Sequence, residues 1–183
     1  MIETERLRLR LPEPTDAPAL LRQLEDAEVM RYIGRGETGT LDDAVAQVEK
    51  MLRAWQDDGF GRFVVVRRSD DALIGRVGLL AWHPLTWRNG TRGEFGEQAE
   101  IELGWTLERE AWGRGFATEA ALAVRDWARS EVRLRRLISL IHAQNVRSIR
   151  VAERLGATRE RHVVTAHGEA VQLWCYPPTA APG

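Results

Sequence analysis

The stretch "AEIELGWTLEREAWGRGFATEA" (Ala99–Ala120) constrains the fold more than any other part of the chain. Its first nine residues read as a β-strand. After "EREAW" come Gly113, Arg114 and Gly115, and then a helix with Ala117, Ala120, Ala121, Val124 and Ala128 on one stripe. Small residues on that stripe suit close packing against a sheet. Glycine weakens a helix, and an arginine at its start opposes the positive end of the helix dipole. An anion outweighs both penalties. At a helix N-terminus the free N–H groups and the dipole point outward, and glycines let a phosphate approach the backbone. Arg114 adds a charged donor and Thr118 a hydroxyl. A tight strand-to-helix turn with a surface arginine accounts for the three residues alone equally well.

The rest of the chain places this unit in a mixed α/β domain. "TERLRLRL" alternates as a first strand closed by Pro12 and Pro14, with Thr15 or Asp16 to cap a helix carrying Leu20, Leu21 and Leu24. A short helical turn follows around "AEVMRYIG". Leu41, Ala44, Val45, Val48, Met51, Leu52 and Trp55 recur at helical spacing between Thr40 and Gly59. "RFVVVRR" and "ALIGRVGLLAW" form a hairpin, and "RRLISLIHA" is a buried-type strand. "NVRSIRVAERLG" is a helix capped by Asn145, and two strands around "HG" end the pattern. The segment 83–98 reads as a long glycine-rich loop with exposed Trp87 and Phe95. Strands and helices do not alternate throughout, so a doubly wound nucleotide fold is excluded. Neither a G-x-x-x-x-G-K-[ST] loop nor an early G-x-G-x-x-G is present. One domain over 1–176 and a flexible tail over 177–183 are expected.

Bulk properties narrow the partners. With 26 basic and 27 acidic residues, the chain has a net charge of −1 and no field for nucleic acid or an anionic membrane. No run of about 18 apolar residues exists to span a bilayer. The opening "MIETERLRLR" lacks a secretion signal's apolar core, and the lone Cys175 permits no internal disulfide, so a cytoplasmic protein is expected.

Residues 112–117, Trp-Gly-Arg-Gly-Phe-Ala, resemble the acetyl-CoA signature of the GNAT N-acetyltransferases: Gln or Arg, two residues, Gly, one residue, then Gly or Ala. Trp112 departs from Gln or Arg at the first position, as in the branch resembling the ribosomal-protein N-terminal acetyltransferases. "TERLRLR", "DAEVMRYIG" and "NVRSIRVAERLGA" are similar to that branch in order and spacing, so the resemblance runs from about Thr4 to Tyr176. It implies a central, mostly antiparallel twisted sheet of about seven strands with helices on both faces. The fourth and fifth strands would splay apart around acetyl-CoA. Pantetheine contacts fall on the backbone of Trp105, Thr106 and Leu107, and the pyrophosphate on Gly113, Arg114, Gly115, Phe116, Ala117 and Thr118. Asn145 meets the cofactor from the fifth strand's side, or serves only as a helix cap. No metal is expected.

Acetyl transfer needs a neutral amine, a donor for the thioester oxygen and a proton for the leaving thiolate. Glu102 is the first candidate base and Glu100 the second, two apart on a strand and so on one face, and His83 in the long loop is the third. Many family members place a tyrosine seven residues after the asparagine, where this chain has Ala152; Ser148 is the nominated acid instead. Tyr32, Trp82, His83, Trp87 and Glu94 are candidates for the acceptor pocket, since aromatics with a carboxylate suit a cationic amine. The acceptor would be a protein or peptide N-terminus, or else a small amine such as a polyamine or an aminoglycoside-like antibiotic. A CoA-binding protein with weak catalysis stays open as the reading from another class, as does the choice between monomer and homodimer.

Overall fold

A computed structural model describes residues 1–177, so the tail expected at 177–183 lies, from 178 onward, outside the described residues. The strands are β1 (Ile2–Glu3), β2 (Leu7–Arg10), β3 (Arg62–Arg67), β4 (Leu73–Trp82), β5 (Asn89–Gly90), β6 (Glu100–Leu107), β7 (Leu137–His142), β8 (Thr158–Val164) and β9 (Ala170–Tyr176). The helices are α1 (Ala17–Glu25), α2 (Ala27–Met30), α3 (Leu41–Asp58), α4 (Arg92–Phe95), α5 (Phe116–Ser130) and α6 (Val146–Arg154). One sheet runs in the order β1-β2-β3-β4-β6-β7-β9-β8, with β5 paired to β4. Every pairing is antiparallel except β6 with β7, which is parallel and meets at the single pair Glu102–Ile138.

Apolar periodicity decides the layers. Leu20 and Leu24 of α1 and Ala44, Val48 and Met51 of α3 close over Val64 and Leu73 on one face. On the other, Ala120, Ala121, Val124 and Ala128 of α5 pack against Phe63, Val77 and Leu103. The alanine stripe permits that approach, as its spacing predicts. Local chemistry fixes the ends: Thr40 and Asp43 form a reciprocal capping box on α3. Asp16 stands at the start of α1, but its carboxylate accepts from the Glu13 amide at 2.7 Å and from Arg10 at 2.6 and 2.8 Å instead of capping the helix.

The segment 83–98 differs from its expected form as an extended loop. It folds back as β5 and α4, the latter under a Thr91–Glu94 capping box. Phe95 and Trp87 are buried, not exposed: Phe95 belongs to the main core, and Trp87 packs with Ile138, Val163 and Leu173. Their apolar area outweighs the polar residues around them, which a local reading of composition overestimates.

Gly78 in β4 has φ 153°, and a Cβ there would stand 2.4 Å from both the Arg62 Cα and the Gly61 carbonyl oxygen. The obstacle is backbone, so the sheet itself has to shift. Gly78→Val is expected to cost about 3 kcal/mol, read from the urea midpoint; an unchanged midpoint contradicts the close approach. Among the described residues no helix is long and apolar enough to cross a membrane.

Candidate functional site

The glycine turn has the geometry of an anion seat. Beyond β6 a short 3-10 turn (Arg109–Ala111) leads to Trp112, whose indole Nε1 donates to the Leu107 carbonyl at 2.9 Å. Arg147 lies 4.3 Å over the Trp112 ring. The indole thus ties the turn to the end of the strand. Gly113 and Gly115 follow with φ 73° and 81°, left-handed values that favour glycine, and α5 begins at once. Among the described residues the amides of Gly113, Arg114 and Gly115 donate to no loop carbonyl, and the first-turn amides of a helix have none to reach. Arg6 buttresses this turn from outside. It donates to the Arg114 carbonyl at 2.9 Å and pairs with Glu119 at 2.6 Å. Burial works upward on the Glu119 carboxyl, yet bonds from Thr4 and Arg6 and the Arg6 charge hold it below its ordinary value.

The gap between β6 and β7 opens beside this turn. Past the Glu102–Ile138 pair the two backbones no longer pair with each other. Ser139 holds the fork, donating to the Leu103 carbonyl at 2.5 Å, while its Oγ accepts from the Tyr176 hydroxyl at 2.8 Å. Burial raises the Tyr176 phenol, so it stays a protonated donor. Because Leu103 turns its carbonyl toward β7, the alternation of a strand turns the Trp105 N–H and C=O the same way. Those groups face an open gap.

A cleft of about 1110 Å³ runs from the gap to α2, the following turn and α3. Glu102 sits in its wall, 8% exposed, accepting from Trp82 Nε1 at 2.7 Å. Burial raises its carboxyl above the ordinary value, against the pull of the Arg62 charge and of bonds from Trp82 and the Leu140 amide. A carboxylate so raised is a better proton acceptor than an exposed one.

The structure brings Trp105, Thr106, Asn145, Ser148, Tyr32, Trp82 and Glu94 to the same cleft as Glu102. Tyr32 stacks on His142 with centroids 5.0 Å apart. The Asn145 side chain accepts from the Ser148 amide at 3.2 Å, so it caps α6. Glu100 is not in the lining: Arg136 holds it at 2.9 Å in a network that includes Glu160. His83 packs edge-on against Phe95, and neither it nor buried Trp87 reaches the cleft. Leu107, Gly113, Arg114, Gly115, Phe116, Ala117 and Thr118 lie outside the lining, and all but Leu107 belong to the glycine turn and the first turn of α5.

Among the lining residues that the sequence reading does not nominate are two arginines on the sheet itself, Arg62 and Arg76. Arg76 is 5% exposed, and burial, with the like charge of Arg62, draws its guanidinium well below the ordinary value. The signal was a charged residue inside the apolar run "LIGRVGLLAW".

The profile of the acetyltransferase (GNAT) domain matches residues 6–158. The uncharacterized N-acetyltransferase YnaD of Bacillus subtilis is 32% identical over 159 residues, 87% of this chain and 83% of that one. A crystal structure of an acetyltransferase from Agrobacterium tumefaciens is 30% identical with a TM-score of 0.76, covering 96% of this chain and 92% of its own. At 15% identity and a TM-score of 0.75, a RimL ribosomal L7/L12 α-N-protein acetyltransferase in complex with coenzyme A shares the fold, with 96% of both chains covered. Turn, splayed strands and cleft therefore stand in a known frame, and the chain belongs to the GNAT acetyltransferase family.

Proposed function

We propose that the chain transfers the acetyl group of acetyl-CoA to the α-amine of a protein or peptide N-terminus, by direct attack with both substrates bound. The observation that carries the choice of acceptor is the charge of the cleft. Its lining has six arginine and lysine side chains against five carboxylates. A polyamine or an aminoglycoside-like molecule is a polycation and calls for an acidic pocket. A single terminal amine needs only one well-placed carboxylate, and Glu102 is buried beside the gap.

In this account the pyrophosphate takes the free amides of the Gly113–Thr118 turn, and pantetheine runs along Trp105 in the gap. Glu102 removes a proton from the ammonium group. The neutral nitrogen attacks the thioester carbonyl carbon; the N–C bond forms and the C–S bond breaks. The nitrogen's second proton reaches the leaving thiolate, with Ser148 in the lining as the relay. The products are an amide, CoA with a free thiol, and the proton that Glu102 returns to water. Preorganised backbone donors at the thioester oxygen contribute about 3 kcal/mol, and proximity of the two bound substrates adds more.

Thiol release from acetyl-CoA, followed with unstructured peptides, spermidine and an aminoglycoside as acceptors, tests this. At least one peptide is expected to exceed both polycations about tenfold in kcat/KM. Turnover of polycations alone contradicts the choice of acceptor.

A further inference from the structure

Arg76 is a buried cation in the cleft wall for which the described residues supply no ion-pair partner. The pairing of β3 with β4 sets Arg62 opposite Gly78 and Arg76 opposite Val64, so the two arginines stand diagonally on one face. Neither belongs to any ion pair among the described residues. Among the described residues the charge that acts on Arg76 is the like charge of Arg62, whereas half-buried Arg62 itself also feels Glu102. A buried guanidinium without a carboxylate partner is costly, and a bound anion lowers that cost.

The same face carries Glu102. On β6 it pairs with Leu80, while Gly104 pairs with Gly78 and Thr106 with Arg76. Arg76 and Glu102 are thus separated by four residues along the sheet, about 13 Å between backbones, before their side chains reach toward each other. Between them lie Gly78 and Gly104, and the Arg62 guanidinium reaches over these glycines. A Cβ at Gly104 would sit 3.6 Å from the Glu102 carboxyl and 3.8 Å from Arg62 Nη2, ordinary contact distances that would simply fill the space. The cleft therefore offers a proton acceptor at Glu102, Arg62 reaching toward it across the glycines, and beyond Arg62 the guanidinium of Arg76, which pairs with no carboxylate among the described residues.

We propose that the acceptor is an acidic amine: its reacting nitrogen meets Glu102 while a carboxylate of the same molecule is bound by Arg76, with Arg62 as second donor. For a peptide this means Asp or Glu close behind the N-terminal residue. The inference rests on the acetyl-transfer reading above and narrows its acceptor. Guanidinium suits the task because its planar fork matches a carboxylate.

The test uses the full chain with saturating acetyl-CoA and matched acceptors. Ser-Asp-Ala-Ala and Ser-Ala-Asp-Ala amides are compared with Ser-Asn-Ala-Ala and Ser-Lys-Ala-Ala amides, and β-alanine with β-alaninamide. The best acidic acceptor is expected to have a KM at least tenfold below its neutral counterpart. Arg76→Gln should erase that preference while acetyl-CoA binding stays unchanged, and Arg76→Lys should restore part of it. Arg76→Met should raise the Tm, since it removes an uncompensated buried charge. Equal use of acidic, neutral and basic acceptors overturns the proposal, as does an Arg76→Gln variant that slows all acceptors alike. If the chain binds CoA and acetylates nothing in the set, the transfer reading has failed and this inference falls with it. Turnover without acid preference removes the inference alone.

Discussion

Glu102→Gln is expected to lower kcat/KM by about 100-fold or more, at any acceptor the enzyme uses, with acetyl-CoA affinity unchanged. The substitution is close to isosteric. The amide oxygen still accepts from Trp82 Nε1, the bond that fixes the carboxylate at 2.7 Å, so the cleft keeps its shape and loses only its proton acceptor. The pH profile separates this from a structural effect. Burial holds the Glu102 carboxyl above the ordinary carboxylate range. The base works ionised, so the wild-type rate falls as pH drops through that raised value. Steady-state rates measured from about pH 5 to about pH 9 should show this limb in the wild type, while the variant keeps only the rise set by deprotonation of the amine itself. A variant that retains both the rate and the limb removes Glu102 from the role.

Gly113→Asp is expected to weaken acetyl-CoA binding about tenfold or more relative to Gly113→Asn. Both side chains tolerate the left-handed backbone at this position, φ 73°, and nothing lies within 4 Å of the Cβ either would add. The pair differs in charge alone. An aspartate carboxylate would occupy the free amides of the turn and repel the pyrophosphate; roughly 1.4 kcal/mol is enough for tenfold. Calorimetric titration reads the difference, which should shrink as salt rises. Equal affinities at low salt would mean that the phosphates sit elsewhere.

The signature turn was legible because it is local. Strand, glycines and alanine stripe are adjacent in sequence, and the structure keeps them so at Leu107, Gly113, Gly115 and α5. The core strands were legible for the same reason, through their period. What was hidden depends on partners distant in sequence. Glu100 and Glu102 look equivalent on one strand, yet Arg136 claims Glu100 while Trp82 turns Glu102 to the cleft. Trp87 and Phe95 look exposed until Ile138, Val163 and the main core meet them. Arg76 reads as a stray charge in an apolar strand, and only the sheet register shows it beside Arg62 and across from Thr106. Ser139 carried no motif at all, although its hydroxyl fixes the fork of the sheet through Leu103 and Tyr176.

The proposed reaction requires phosphates on the Gly113–Thr118 amides, pantetheine along Trp105, and the sulfur delivered to the cleft beside Glu102. A crystal structure of the protein with coenzyme A tests that placement directly. Pyrophosphate oxygens are expected within hydrogen-bond distance of the turn amides, and the CoA sulfur in the gap between β6 and β7, within one water of the Glu102 carboxyl. Coenzyme A bound away from that gap, or with its thiol on the far side of the sheet from Glu102, would contradict it.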